Sequence, residues 1–128
     1  MAPVAVAGGL AAYGLERCGV DTGTGSVQVQ RLSDGKVLHA APATVALLGP
    51  ESYRSVAAVV VRPDGAVAWI GTGVSIIRHS QDVEVHKLDR DGSRTLDRGA
   101  GIDARSLRLR GSRITWRHGG RTLSAMLR

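Results

Sequence analysis

The chain has 128 residues, a length typical of one domain, and its single cysteine excludes both an intramolecular disulfide and a cluster of thiolate metal ligands. Aromatic residues make up 3% and Phe is absent, so the core has to come from Val, Leu, Ile and Ala, a composition that favours pleated sheet. The net charge of +6 arises at the C-terminal end, where residues 101–128 contain seven Arg and one carboxylate, Asp103.

The first 41 residues predict a four-stranded meander. Strands are indicated over residues 4–7, 10–16, 26–32 and 36–41. In the third of these, Val27 and Val29 alternate with Gln28 and Gln30, a period of two that is typical of a strand with one buried face. Asp34-Gly35 follows and favours a tight hairpin, because Gly accepts the positive φ that such turns need.

A second copy of this pattern follows along the chain. Its strands are predicted over residues 56–62, 66–71, 82–88 and 93–98, with Asp91-Gly92 at the last hairpin. Residues of the same kind recur 56 positions apart, namely Val27 and Val83, Val29 and Val85, Leu32 and Leu88, and the aromatic pair Tyr13 and Trp69. The fixed interval predicts that the same small sheet is built twice.

A third, shorter copy is predicted over residues 106–110, 113–118 and 121–127, with turns at Gly111-Ser112 and Gly119-Gly120. Trp116 occupies the position that Tyr13 and Trp69 have in the earlier copies. We therefore expect one domain of three units, over residues 3–41, 55–98 and 106–127, in which these three aromatic side chains are equivalent core residues.

Residues 61–69, Val-Arg-Pro-Asp-Gly-Ala-Val-Ala-Trp, predict a strand, a tight turn and a second strand. Pro63 fixes φ at the first corner of the turn and Gly65 relaxes its exit. The segment resembles the opening of each blade in TolB-like and related WD-repeat-like bacterial β-propellers. Gly8-Gly9 and Gly111-Ser112 replace Pro-Asp-Gly in the other units, so the resemblance depends on the four-strand rhythm of nearly the whole chain.

This resemblance implies an all-β fold of consecutive four-stranded antiparallel meanders, equal to about two and three quarter propeller blades. It also implies a non-catalytic scaffold or binding module, without catalytic residues, metal or cofactor, whose partner is a protein or a small molecule. Closed propellers commonly have at least four blades, so the chain is expected to be the C-terminal end of a longer propeller. Open strand edges and one uncovered apolar face then predict self-association, partner binding or marginal stability.

A catalytic alternative centres on Asp21-Thr22-Gly23, which resembles the active-site loop of homodimeric aspartic proteases. In those enzymes two aspartates share one proton and activate a water. The aspartate here lies in a polar stretch, residues 17–25, rather than at the end of an apolar strand. The apolar-apolar-Gly segments Leu47-Leu48-Gly49 and Trp69-Ile70-Gly71 are generic matches to the second element that such a protease needs.

A third interpretation is a surface that binds polyanions through residues 105–128. The cations that alternate with apolar residues there are Arg105, Arg108, Arg110, Arg113, Arg117 and Arg121. Neither aromatic platforms for single strands nor a helix for the major groove is evident. Charge on the last strands also discourages aggregation between sheets, and this is the role we expect.

The remaining motifs predict no site. Residues 71–75, Gly-Thr-Gly-Val-Ser, lack the Lys-Ser or Lys-Thr of a phosphate loop and are expected to form the loop between two strands. The four histidines, His39, His79, His86 and His118, have no metal-ligand spacing. Alternation with Val85 predicts that His86 lies on the exposed face of its strand.

The apolar start of the chain does not have the pattern of a signal peptide. Residues 2–15 have no basic segment before them and are interrupted by three glycines, so neither a targeting signal nor a membrane-spanning segment is predicted. The propellers that the chain resembles are often exported, and the compartment therefore stays open.

Overall fold

A computed structural model describes residues 3–18, 23–46, 48 and 51–128, and every regular element in these residues is a β-strand. The strands are β1 (Val4–Ala7), β2 (Leu10–Cys18), β3 (Gly23–Arg31), β4 (Val37–Pro42), β5 (Ser52–Val61), β6 (Val67–Ser75), β7 (Ser80–Asp89), β8 (Gly92–Arg98), β9 (Arg108–Arg110), β10 (Arg113–His118) and β11 (Arg121–Met126). The all-β prediction is confirmed, and each predicted strand overlaps an observed one.

The strands form three antiparallel meanders, which we call the first sheet (β1–β4), the second sheet (β5–β8) and the third sheet (β9–β11). A single parallel bridge, Gly23 to Tyr53, joins the start of β3 in the first sheet to β5, the edge strand of the second sheet. The predicted sequence of four, four and three strands is therefore confirmed.

The second sheet lies between the other two, and its middle strands β6 and β7 are buried on both faces, while the edge strand β8 is largely exposed. Val67 and Trp69 point into a core shared with the first sheet, while Ala68 and Ile70 point into a core shared with the third. Since neighbouring side chains of a strand point to opposite faces, a strand covered on both sides is apolar at every position unless hydrogen bonds satisfy its polar side chains. This explains the unbroken apolar run of residues 66–70, all of which are buried.

Equivalent residues of the three sheets face the same way along the stack. Val27 of the first sheet and Val83 of the second each point forward, into the core shared with the next sheet. Trp69 and Trp116 each point backward, into the core shared with the preceding sheet. Tyr13 pairs with Gln28, whose neighbours Val27 and Val29 point forward, so Tyr13 also points backward.

Tyr13 nevertheless is not a core residue, and that part of the prediction is wrong. It is only half-buried, because no described part of the chain covers the backward face of the first sheet. The pairing register also differs between the two copies. Ala12 pairs with Val29, but the equivalent Val85 pairs with Ile70 and not with Ala68, the counterpart of Ala12. The slip is two residues, which moves the contact along the strand but leaves each side chain on its face.

Two further predictions need correction. Leu32 and Leu88 are not equivalent, because Leu32 is 58% exposed in a turn while Leu88 packs against the core. Residues 71–75 lie within β6 and do not form a loop. Gly71 is required there because the chain leaving β4 crosses β6, and a side chain at Gly71 would overlap the carbonyl group of Ala43.

Candidate functional site

The proposed protease residues are not brought together in the part of the chain that the structure describes. Asp21 and Thr22 lie outside the described residues, and Gly23 is the first residue of β3, paired with Cys18 of β2. Residues 69–71 lie in the middle of buried β6, and of residues 47–49 only Leu48 is described. The protease interpretation stays an untested prediction.

The histidines are widely separated, and the prediction for His86 is wrong. His39 and His79 are exposed and His118 is half-buried, but His86 is only 3% exposed. Its ring stacks on Trp69 with centroids 5.3 Å apart and planes 13° from parallel. His86 is buried because its face of β7 is covered by the first sheet. Among the described residues, no group of three potential ligands could hold a metal ion.

A buried carboxylate holds the start of the connection between β4 and β5, residues 43–46, which we call the linker. Glu84 is fully buried, and its Oε1 accepts hydrogen bonds from the Val45 amide at 2.9 Å and pairs with His86 Nε2 at 2.7 Å. Its Oε2 accepts from the Ala46 amide at 3.1 Å. Two linker amides that are remote from any strand ladder are thus satisfied by one side chain.

Two other side chains of the second sheet bind the oxygens of the linker. The Arg54 guanidinium donates to the carbonyl and hydroxyl oxygens of Thr44 and to the carbonyl oxygen of Ala46. The Trp69 indole N–H donates to the carbonyl oxygen of Ala43 at 3.1 Å. We call these contacts, together with those of Glu84, the linker clamp. Sequence reasoning missed the clamp because its partners are 8 to 39 residues apart and meet only through sheet stacking.

A second carboxylate next to the clamp is strongly perturbed. Burial raises the pKa of Asp82 to about 6, with further contributions from hydrogen bonding to Glu84 and repulsion by it. Burial alone would also raise the pKa of Glu84, but hydrogen bonds from Asp82, the Val45 amide and His86 lower it to about 2. Arg98 Nε lies 3.7 Å from Asp82 Oδ1, and Arg98 Nη2 lies 3.4 Å from Glu84 Oε2, so one cation faces both carboxyl groups.

Glu84, His86 and Thr95, which together with Asp82 we call the ionisable cluster, place a carboxylate, an imidazole and a hydroxyl in series. His86 Nε2 lies 2.7 Å from Glu84 Oε1, and His86 Nδ1 lies 3.3 Å from Thr95 Oγ1. Nucleophilic triads have this order of groups. Here the imidazole is buried against Trp69, whereas the Thr95 side chain is exposed. The carboxylate of the series, Glu84, is bound by two linker amides and so positions the linker.

The outer face of the third sheet is strongly basic. Register places Arg108 and Arg110 of β9 on the same face as Arg113 and Arg117 of β10, with Arg110 directly opposite Arg113. All four are exposed, and none forms an ion pair with a described residue. We call this surface the arginine face. The predicted row of cations is present for these four residues.

Two of the predicted cations lie beside the arginine face instead of on it. Arg105 borders a cleft of about 380 Å³ at one edge, together with Arg108 and Arg117. Arg121 pairs with His118, which puts it on the opposite side of the sheet, at the exposed end of the last hairpin.

The backward face of the first sheet is uncovered and has no charged side chain at its centre; we call it the open face. Val4, Val6 and Val37 are 65%, 64% and 46% exposed there. The Tyr13 hydroxyl lies 3.1 Å from the side-chain oxygen of Gln28 and 3.0 Å from that of Gln30. The Tyr13 hydroxyl thus donates its proton to one of two glutamine oxygens of its own sheet, unlike the Trp69 indole, which binds the linker.

A small cleft lies where the first and second sheets meet. It has a volume of about 210 Å³, and its walls include Arg17, Tyr53, Ser55 and Thr72. The hydroxyl oxygens of Ser55 and Thr72 are 2.9 Å apart. Pockets for drug-sized ligands are commonly about 300–1,000 Å³, so this cleft fits only a small polar group.

No protein-family model matches the chain, and no curated protein or solved structure matches it either. The described residues also contain no helix that is long and apolar enough to span a membrane.

The raised pKa of Asp82 predicts that Asp82→Asn stabilises the protein more at pH 7.5 than at pH 4.5. Because the folded-state pKa is about 6 and lies above the ordinary value of 3.8 for an aspartate, this group favours folding below pH 4 and loses that contribution as the pH rises through 6. Denaturant unfolding at both pH values should show a difference of about 1–2 kcal/mol in the effect of the substitution.

Asp91→Asn is the matched control, since Asp91 is exposed in the β7–β8 turn and its side chain makes no contact with the clamp. Its effect at the two pH values is the baseline for removal of an exposed carboxylate. If the effect of Asp82→Asn on stability changed no more between pH 4.5 and pH 7.5 than the effect of Asp91→Asn, the buried and repelled state of Asp82 would be contradicted.

Proposed function

We propose that this chain is a non-catalytic binding scaffold of the β-propeller type, in which the first and second sheets are blades and the third sheet is three strands of another. The observation that carries the proposal is the constant facing of equivalent residues along the stack. Forward-facing Val27 and Val83 and backward-facing Trp69 and Trp116 repeat one arrangement from sheet to sheet. Stacking of four-stranded meanders through their faces is the architecture of propeller blades.

The non-catalytic part of the proposal is supported by what the ionisable cluster does. Catalytic groups have to reach a substrate, and strongly perturbed pKa values often mark such groups. Here the perturbed carboxyls, Asp82 and Glu84, are buried, and Glu84 is occupied by the linker amides and His86. Exposed surface, not the cluster, is therefore available to a partner.

The aspartic protease hypothesis gives the direct test. We expect the purified chain to show no pepstatin-sensitive cleavage of a peptide library at pH 4 to 7, and Asp21→Asn to behave like the unmodified protein. Asp91→Asn serves as the control for loss of one carboxylate. Cleavage that pepstatin blocks and that Asp21→Asn abolishes, but Asp91→Asn does not, would overturn the non-catalytic proposal.

The arginine face supports polyanion binding as a second candidate function. Arg110 and Arg113 lie directly opposite each other on neighbouring strands. Like charges in that position destabilise a sheet by about 0.2–1 kcal/mol, and no described carboxylate offsets them. An external anion such as a nucleic-acid backbone would neutralise them. Alternatively, the charges have no binding partner and only prevent the outer sheet from aggregating.

Binding to a labelled mixed-sequence DNA duplex distinguishes the two roles of the arginine face. Four phosphate contacts predict a loss of affinity of about 10²-fold between 50 and 200 mM salt, because each contact releases condensed counterions. Arg110→Ser combined with Arg113→Ser should lower the logarithmic salt slope by about 2. The control, Arg78→Ser with Arg94→Ser, removes the same charge from exposed positions outside the face and should leave most of the slope.

Absence of binding at 50 mM salt would reject the polyanion candidate and leave the role in solubility. Equal effects of the two double variants would show that binding follows net charge instead of the arginine face.

A further inference from the structure

The cleft beside the arginine face, which we call the edge cleft, has the composition of an anion-binding site. Its volume is about 380 Å³, and its walls contain three exposed arginines, Arg105, Arg108 and Arg117. None of the three forms an ion pair with a described carboxylate. Like charges that line one cleft repel each other, and an anion bound between them would offset this repulsion. The edge cleft therefore favours a negatively charged ligand.

Two threonines of the edge cleft add neutral hydrogen-bond donors to the cations. Thr115 pairs with Arg108 and Thr122 pairs with Arg117, so both threonines lie on the outer face of the third sheet. Hydroxyl and guanidinium groups both donate hydrogen bonds to oxyanions. The planar fork of an arginine also matches the spacing of oxygens on a phosphate group. This set of donors fits a tetrahedral oxyanion.

The remaining wall of the edge cleft is a turn that hydrogen bonds hold against β10. The Asp103 amide donates to the Arg117 carbonyl oxygen at 3.0 Å, and the Arg117 amide donates to Ser106 Oγ at 2.9 Å. Ser106 Oγ in turn donates to the Asp103 carbonyl oxygen at 2.7 Å. Nη1 of Arg108 donates to the Arg105 carbonyl oxygen at 3.0 Å, which ties this side chain to the same turn. Groups that are held in place before a ligand arrives bind it at a lower entropic cost.

One carboxylate also lines the edge cleft, and it narrows the choice of anion. Asp103 Oδ1 accepts the Arg105 amide at 3.0 Å, while Asp103 Oδ2 has no partner among the described residues. A carboxylate repels an anion without protons but accepts a hydrogen bond from one that carries an O–H group. Hydrogenphosphate has such a group and sulfate has none. Three cations and one carboxylate leave a net charge of +2, which matches the charge of about −2 on phosphate near neutral pH.

We propose that the edge cleft is a binding site for inorganic hydrogenphosphate. The arginine and threonine donors bind its unprotonated oxygens, and Asp103 accepts a hydrogen bond from its P–OH group. The inference rests on the polyanion candidate, because Arg108 and Arg117 belong to the arginine face, and it names the anion for this end of the face. It concerns one small ion instead of a polymer, so Asp103 and Arg105 can be tested separately from the face.

Amide chemical shifts of the isotope-labelled chain test the proposal, with phosphate or sulfate added up to about 20 mM at pH 7.5 and constant ionic strength. Phosphate should cause saturable shifts confined to residues 103–108, 115–117 and 122, with a dissociation constant of about 1 mM. Sulfate should bind at least about tenfold more weakly, because Asp103 repels it without accepting a hydrogen bond from it. Glycerol 3-phosphate, which at this pH is mostly an ester dianion without a P–OH group, should also bind more weakly than phosphate.

Asp103→Asn tests the role of the carboxylate in this selectivity. The asparagine keeps an oxygen that can accept the Arg105 amide but removes the charge, so the affinities for phosphate and sulfate should come within about threefold of each other. Asp64→Asn is the matched control. Asp64 is exposed outside the edge cleft and accepts the Ala66 amide at 3.1 Å in the same type of turn, so its substitution should leave the selectivity unchanged.

Arg105→Ser distinguishes the edge cleft from the arginine face. It should weaken phosphate binding about tenfold, because one charged donor is lost, and leave most of the salt slope for DNA. Arg110→Ser with Arg113→Ser removes two charges from the face but none from the cleft walls, and should change phosphate affinity less than about threefold. Phosphate binding without DNA binding would reject only the polymer as ligand, and DNA binding without phosphate binding would reject only the phosphate site.

Shifts that stay linear up to about 20 mM phosphate, or that spread over exposed arginines elsewhere, would overturn the proposal. So would equal affinity of the unmodified chain for phosphate and sulfate, tighter binding of glycerol 3-phosphate, or a larger effect of the Arg110 and Arg113 variant than of Arg105→Ser. Should Asp103→Asn disturb the turn and fail to fold, the comparison of phosphate with sulfate on the unmodified chain and the Arg105 variant still decide the question.

Discussion

The two middle strands of the second sheet, β6 and β7, are buried on both faces over most of their length, and the other parts of the fold follow from this constraint. Its strand β6 presents Val67 and Trp69 to one core and Ala68 and Ile70 to the other. A sheet of this kind is unstable alone, since it would expose two apolar surfaces, and it needs a sheet on either side. The first and third sheets each need only one apolar face, and their outer faces are free to differ.

Burial of the second sheet on both sides also decides where charged groups are found inside the protein. The linker crosses the face of the sheet over β6, and the Val45 and Ala46 amides form no ladder hydrogen bonds there. Glu84 accepts two of those amides, while Arg54 and Trp69 donate to linker oxygens. On the other side Asp97 accepts the Trp116 indole at 2.9 Å and pairs with His118 at 2.8 Å. Polar clamps therefore join successive sheets wherever the apolar contacts end.

Alternation and turn residues were sufficient to predict all eleven strands and their grouping, because both are local properties of the chain. Burial of individual residues was harder to predict. His86 was expected to be exposed because alternation with valine implies one wet face, but a second covering sheet makes both faces dry. The reverse error concerns Tyr13, whose environment depends on whether another sheet is present. Neither the linker clamp nor Gly71 has a local signal, since each depends on a contact between sheets.

The central claim is that the second sheet is sealed by its neighbours, and native-state hydrogen exchange measured residue by residue tests it most directly. The amides of β6 and β7 should exchange slowest and only through global unfolding, whereas those of the edge strands β1 and β11 should exchange by local opening. The buried valines Val67 and Val85 are the natural reporters. Exchange of β6 amides as fast as those of β1 would contradict the account, because it would mean that the second sheet opens to water on its own.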